Sequence, residues 1–168
     1  MTKQQRLGMS SLLLGGLMWG AGHVVADEIS GTLDGEPREW HIVTHSEGST
    51  ANFSELMPGM VNVTVQGHRE PRFETQGTLS ISFIVMNGDT GDASVSYFPE
   101  SGMLPHYGTE QDVPIEIALL EIDGDTGRVK GRVATSLAYV ASMTEEHDHS
   151  NTMDIDVSFD ATLVREEY

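Results

Sequence analysis

The stretch Met153-Asp154-Ile155-Asp156-Val157-Ser158-Phe159-Asp160-Ala161-Thr162-Leu163 alternates apolar and polar side chains without a break. Successive side chains of a strand point to opposite faces, so this segment reads as a strand with one buried and one wet face. A helical period would instead place apolar residues three and four apart.

The same period recurs upstream. Leu79, Ile81, Phe83 and Val85 alternate with Thr78, Ser80 and Ser82. Val129, Gly131, Val133, Thr135, Leu137 and Tyr139 alternate with a face that carries Arg128, Lys130 and Arg132. Shorter strands are expected at Glu28 to Leu33, Glu39 to Thr44, Met60 to Gln66, Ala93 to Phe98 and Val113 to Ile122. Turn residues separate them. Asp34-Gly35 is a hairpin signal. Asn87-Gly88-Asp89-Thr90-Gly91 and Asp123-Gly124-Asp125-Thr126-Gly127 share the string Gly-Asp-Thr-Gly, and each reads as a hairpin of similar design.

Roughly eight strands with hairpin turns and no helices between them predict an all-β domain. The expected architecture is an antiparallel β-sandwich, jelly-roll or immunoglobulin-like, with a small β-barrel as the alternative. Both alternate in the same way, so periodicity does not separate them. Three irregular stretches remain: His45 to Gly59, with a short helical turn expected near Ser54-Glu55-Leu56-Met57, then Pro99 to Asp112, then Ser142 to Asn151. Long loops on a rigid sheet are where function concentrates.

The chain has 168 residues, 26 acidic and 9 basic, and no cysteine. Its start has the layout of a secretory signal peptide: Lys3 and Arg6, an apolar run from Leu12, then Val24-Val25-Ala26 before Asp27. The expected organisation is a signal peptide at 1–26 and a single all-β domain at 27–168, in a bacterial periplasm or outside the cell. No integral membrane segment is expected after cleavage. An outer-membrane barrel does not fit, because the outward positions are Asp, Ser, Thr and Arg rather than an apolar band. Removing residues 1–26 takes away two bases and no acid, so the net charge of −17 becomes −19. Such a surface repels nucleic acid and anionic lipid. A saline habitat or a cationic partner would each account for it.

The segment Glu145-Glu146-His147-Asp148-His149, with Met143 and Met153 nearby, attracts cations. Imidazole suits zinc and copper, and thioether suits reduced copper. His147, His149, Met143, Met153 and Glu146 are therefore candidate copper or zinc ligands, with His41, His45, His68 or His106 as completing ligands from elsewhere. A structural zinc ion wants four ligands, so a solvated polar loop is the plainer reading. Asp123 and Asp125 are candidate calcium ligands, although the loop lacks the closing glutamate of an EF-hand. Turn formation alone accounts for them. If Trp40 to His45 is one strand, His41 and His45 share its outer face. The segment His68-Arg69-Glu70-Pro71-Arg72-Phe73 offers arginines to an anion. Phe98, Met103, Leu104 and Tyr107 either line a ligand mouth or cap the sandwich, and the cap is the simpler reading.

No nucleophile elbow occurs after residue 26, and no zinc-protease, phosphate-loop or dinucleotide motif is present. The sequence thus leads to a non-enzymatic binding or accessory module for an unknown protein or small ligand, with no cofactor required. The alternatives are a periplasmic copper or zinc protein using the His/Met/acid loop, and a hydrolase or isomerase with a cavity in the β fold. Protein recovered from a bacterial host is expected by intact mass to begin at Asp27. A chain that keeps Met1 contradicts the cleavage.

Overall fold

The computed structural model describes residues 27–166 except Glu47. Residues 1–26, where a signal peptide is expected, lie outside the described residues. Among the described residues there are twelve strands and no helix. In chain order they are β1 (Glu28–Leu33), β2 (Glu36–His41), β3 (Thr44–His45), β4 (Gly48–Ser49), β5 (Ala51–Met57) and β6 (Met60–Gly67). There follow β7 (Thr78–Met86), β8 (Asp89–Phe98), β9 (His106–Gly108), β10 (Glu116–Asp123), β11 (Thr126–Val140) and β12 (Asp148–Arg165). Among the described residues no helix is long and apolar enough to cross a membrane.

Two long strands organise the rest. β11 and β12 pair antiparallel from Thr126↔Val164 to Tyr139↔Asp148. On its other edge β11 holds β10 and then β9. On its other edge β12 holds β1 and then, in parallel, the start of β5. Antiparallel neighbours β5 to β9 complete the path, so hydrogen bonding runs in a closed circuit. The result is an all-β, mostly antiparallel fold of sandwich or barrel type, as the alternation predicts. Closure also leaves β5 to β9 without a free edge of the circuit.

The inward residues of β12, Ile155, Val157, Phe159, Ala161 and Leu163, are all buried. They join Val129, Val133 and Leu137 of β11, Leu79, Ile81, Phe83 and Val85 of β7, and Ile29, Leu33 and Trp40 of the first hairpin in one core cluster. Burial of this apolar surface is the main favourable term, at roughly 25 cal/mol per Å². Gly131 faces Phe159 directly across the ladder, and a Cβ there would lie 2.5 Å from the ring. The ring fills the space that the missing side chain leaves.

The outer face of the same ladder is charged. Arg132 takes both oxygens of Asp156 at 2.9 and 2.7 Å. Arg128 and Lys130 both reach Asp160. Cross-strand pairing thus gathers the three bases read on β11 against the acids read on β12. The Asp156 carboxyl is held below its ordinary range, first by the hydrogen bond from Arg132, with burial working against it.

Several expectations need correction. Ser54 to Met57 form no helical turn, because β6 pairs β5 from Ala51 to Met57, with a bulge between Glu55 and Met57. Phe53 and Ala51 face the core from that strand. His41 and His45 do not share a strand: β2 ends at His41, and His45 sits in the separate β3–β4 hairpin. The two Gly-Asp-Thr-Gly loops are both two-residue hairpins but differ by one residue in register. The first turns at Asn87-Gly88, where both φ angles are positive, as a type I′ turn requires; the second turns at Gly124-Asp125.

Among the described glycines, Gly31 sits at the tightest approach. A Cβ there would lie 2.0 Å from the Asp156 main-chain oxygen. Gly31→Ala is expected to cost about 3 kcal/mol or more in urea unfolding, since backbone must move. Gly35→Ala, in open space at positive φ, should cost only about 1 kcal/mol. The Asp156 interaction has a definite pH sign. Its carboxyl binds a proton more weakly folded than unfolded, so its contribution is present above about pH 4 and disappears as pH falls through the lowered value. Asp156→Asn should therefore lower the urea midpoint near neutrality and converge with the unsubstituted protein in acid.

Candidate functional site

The end of the fold where β6 finishes and β7 begins carries a cleft that holds buried polar side chains. The β1–β2 hairpin is docked there by a backbone bridge: His41 N donates to His68 O at 2.7 Å, and His68 N donates to His41 O at 2.8 Å. Beyond His68 the chain loops out and returns at Thr78. Three contacts pin that loop: Trp40 Nε1 donates to Gly77 O at 3.0 Å, Gly77 N donates to Phe98 O at 2.6 Å, and Thr78 N donates to Thr75 O at 3.0 Å. Trp40, the only tryptophan after residue 26, therefore packs the core and holds the loop with its polar tip.

The cleft has a volume of about 320 Å³ and is lined by Gln66, His68, Phe73, Glu74, Thr75, Thr78, Phe98 and Met103. That size suits a small organic ligand. Its apolar walls come from two different segments. Phe73 sits on the loop, and its ring meets His45 edge-on at 4.6 Å and His68 at 5.5 Å. Phe98 ends β8 and packs against His106 at 5.5 Å. His106 in turn hydrogen-bonds the Met103 carbonyl at 3.2 Å. Phe73 and Met103 are both more than half exposed, so two large apolar side chains stand open to solvent beside the cleft.

His68 is the chemical centre. It is 4% exposed. Its Nδ1 lies 2.7 Å from the Glu74 main-chain oxygen, which only accepts, so Nδ1 carries the proton and donates. The Thr78 hydroxyl also donates to that carbonyl, at 2.6 Å, while its oxygen lies 3.0 Å from Nδ1. The Glu74 amide lies 3.5 Å from Nδ1 and cannot donate to a nitrogen that carries a proton. In the neutral ring Nε2 is then the unprotonated nitrogen, and it is buried without a hydrogen-bond partner among the described residues. Glu74 Oε1, in the same cleft, is also buried and unbonded. Arg72 takes Glu74 Oε2 at 3.2 Å, whereas Arg69 stays 3.9 Å from Oε1. Two unfilled acceptors thus share one cleft. Unsatisfied buried polar atoms are uncommon in folded proteins, and a ligand supplying donors would satisfy both.

The loop residues read from the sequence are placed elsewhere. His147 and His149 stack with ring centres 6.5 Å apart. His149 Nε2 meets Glu110 Oε2 at 3.0 Å. Glu146 is exposed and Met143 is 85% exposed, whereas Met153 packs against the core opposite Leu137. Met153 is therefore turned to the apolar interior. Asp148 is used locally, accepting from Ser150 N and Oγ, which holds its carboxyl below the ordinary range. Among the described residues no three His, Cys, Asp or Glu side chains gather as a metal site. At the acidic hairpin, Arg165 already engages the Gly124 carbonyl at 2.9 Å and Asp125 at 3.2 Å. The Asp123 carbonyl accepts from Thr126. A guanidinium thus supplies positive charge where a calcium ion would.

Sequence reading touched both halves of the cleft, as the His68–Phe73 turn and the Phe98–Met103 segment, without joining them. Glu74 was missed. The Pro-free, Gly77-terminated return to Thr78 is a local loop signal, but burial of His68 is not encoded by any spacing. No protein-family model matches the chain, and comparison with curated proteins and with solved structures finds no match.

His68→Phe is expected to preserve the ring packing on Phe73 while removing both nitrogens. It should leave the Glu74 carbonyl with Thr78 as its remaining side-chain donor and cost about 1 kcal/mol, read from the urea midpoint. A loss of several kcal/mol would mean that His68 is a structural keystone instead of a cleft residue held by one hydrogen bond.

Proposed function

We propose that the chain is an exported, non-enzymatic binding module whose ligand site is the His68–Glu74 cleft. The observation that carries this reading is the pair of buried, unfilled acceptors, His68 Nε2 and Glu74 Oε1, set beside the apolar surfaces of Phe73, Phe98 and Met103. The ligand that complements it is a small molecule with an aromatic or aliphatic body and N–H donors, such as an amine or amidine. The net charge of −17 favours a cation over an anion at long range. Export rests on the N-terminal sequence pattern, which also fits a cysteine-free chain.

A hydrolase or isomerase using His68 Nε2 as its base draws on the same atom. Such a site also needs a nucleophile or donors for a developing oxyanion. The hydroxyl that contacts His68, that of Thr78, has its proton committed to the Glu74 carbonyl. Binding is the reading that uses every group as it stands.

The test is a titration followed by ¹H–¹³C NMR, with benzylamine and benzamidine set against benzoate and phenylacetate. The amines are expected to shift Phe73, Phe98 and the Met103 methyl, and Glu74→Gln with His68→Phe to abolish the shifts. Preference for the carboxylates, or shifts that persist in the double variant, contradicts the proposal.

A further inference from the structure

The opposite end of β6 and β7 carries a row of methionines that no sequence spacing announces. Met57 and Met60 are direct partners where the β5–β6 hairpin closes, and Met60 is the direct partner of Met86 on β7. Directly opposed residues of antiparallel strands project to one face, with Cβ atoms about 5 Å apart. The face is the outer one: Met57 is 58% and Met86 50% exposed, and Met60 is partly exposed. The two hairpin tips are tied together, since Asn87 N donates to Gly59 O at 2.7 Å. The three side chains therefore stand on a hydrogen-bonded platform.

Packing does not explain them. Along the same outer face, β6 carries Asn62 and Thr64, and β7 carries Ser80, Ser82 and then Ile84, the direct partner of Asn62. The alternation that puts polar residues outward fails toward this tip, first at Ile84 and then with three thioethers at the end of the strands. Six methionines follow residue 26, and three of them fall in this one row. Asp89, the direct partner of Met86, extends the row with a carboxylate.

Thioether sulfur is a soft, uncharged donor that selects Cu(I) over zinc, calcium or magnesium. There is no cysteine to compete for the ion. Long, unbranched methionine side chains on three adjacent strands can converge on one ion above the middle residue. We propose that Met57, Met60 and Met86 form a three-sulfur site for one Cu(I) ion at the joined tips of the β5–β6 and β7–β8 hairpins. The site is separate from the His68 cleft, which lies at the other end of β6 and β7, about 25 Å away at the rise of an extended strand. It also shares no residue with the His147–His149 loop.

The experiment is an anaerobic competition of the folded protein against the Cu(I)–bicinchoninate complex under ascorbate, with ¹³C-methyl-methionine NMR in parallel. The methyl signals of Met57, Met60 and Met86 are expected to shift together and saturate at one equivalent. Met57→Leu/Met60→Leu/Met86→Leu should weaken binding by about 100-fold or more, since loss of even outer-shell support costs ten- to a hundredfold. Met143→Leu should bind as the unsubstituted protein does. Leucine conserves volume, and circular dichroism checks the fold. If the triple variant fails to fold, Met57→Leu and Met86→Leu at the exposed positions must each weaken binding at least about tenfold on the same ground. Failure to withdraw Cu(I) from bicinchoninate, undiminished binding in the variants, or shifts centred on Met143 and Met153 overturns the proposal.

Discussion

The β11–β12 ladder is the constraint on which the rest depends. It is the longest pairing in the molecule, and each of its strands serves neighbours on both edges. A strand that pairs on both sides with different partners at its two ends has to pass from one part of the wall to another. Both strands do this, which is how a chain made of local hairpins becomes a closed circuit. The inward face of the ladder supplies a large share of the core, and the outward face supplies the Arg128, Lys130 and Arg132 contacts with Asp156 and Asp160. Exposed ion pairs contribute little stability by themselves. Their role here is to fix register, because a one-residue slip would bring the bases into the core.

Closure also decides where function can sit. The strands β6 and β7 are held on both edges, so their variable parts are their two ends. At one end the long His68–Thr78 connection folds over the core and is pinned by Trp40 and Phe98. At the other, two tight hairpins meet edge to edge. The first arrangement produces a cleft with buried acceptors, and the second produces an exposed row of thioethers. Rigid strands with different ends are a common basis for binding sites carried on loops.

Much of this was legible from alternation. β12, β7 and β11 have the faces that their sequences predict, because each has enough uninterrupted positions to show period two. β5 was hidden by the buried Ser54 next to Phe53 and by the bulge at Glu55–Met57, which break the period. The Pro58-Gly59 pair after it was the available signal, since a proline followed by a glycine with positive φ fits a tight turn. β9 has three residues and exists only because β8 and β11 flank it. In β11 the alternation slips at Ala138–Tyr139, where Leu137 and Ala138 are both buried and Tyr139 meets the Tyr107 ring at 5.4 Å. The site was less legible than the fold. Histidine, glutamate and methionine positions are visible in a sequence, but burial and cross-strand register are not. His68 and Glu74 are near neighbours whose importance comes from what covers them. Met57, Met60 and Met86 become neighbours only through two registers.

The central claim is that the cleft holds two buried, unfilled acceptors, His68 Nε2 and Glu74 Oε1. That claim stands on the protonation of one imidazole. A long-range ¹H–¹⁵N correlation spectrum of the ligand-free protein at neutral pH reads it directly. The account predicts that His68 carries its proton on Nδ1, with the Nε2 resonance in the range of an unprotonated nitrogen. A protonated Nε2, in either the neutral or the cationic ring, would turn the cleft into a donor site and contradict the assignment of its ligand.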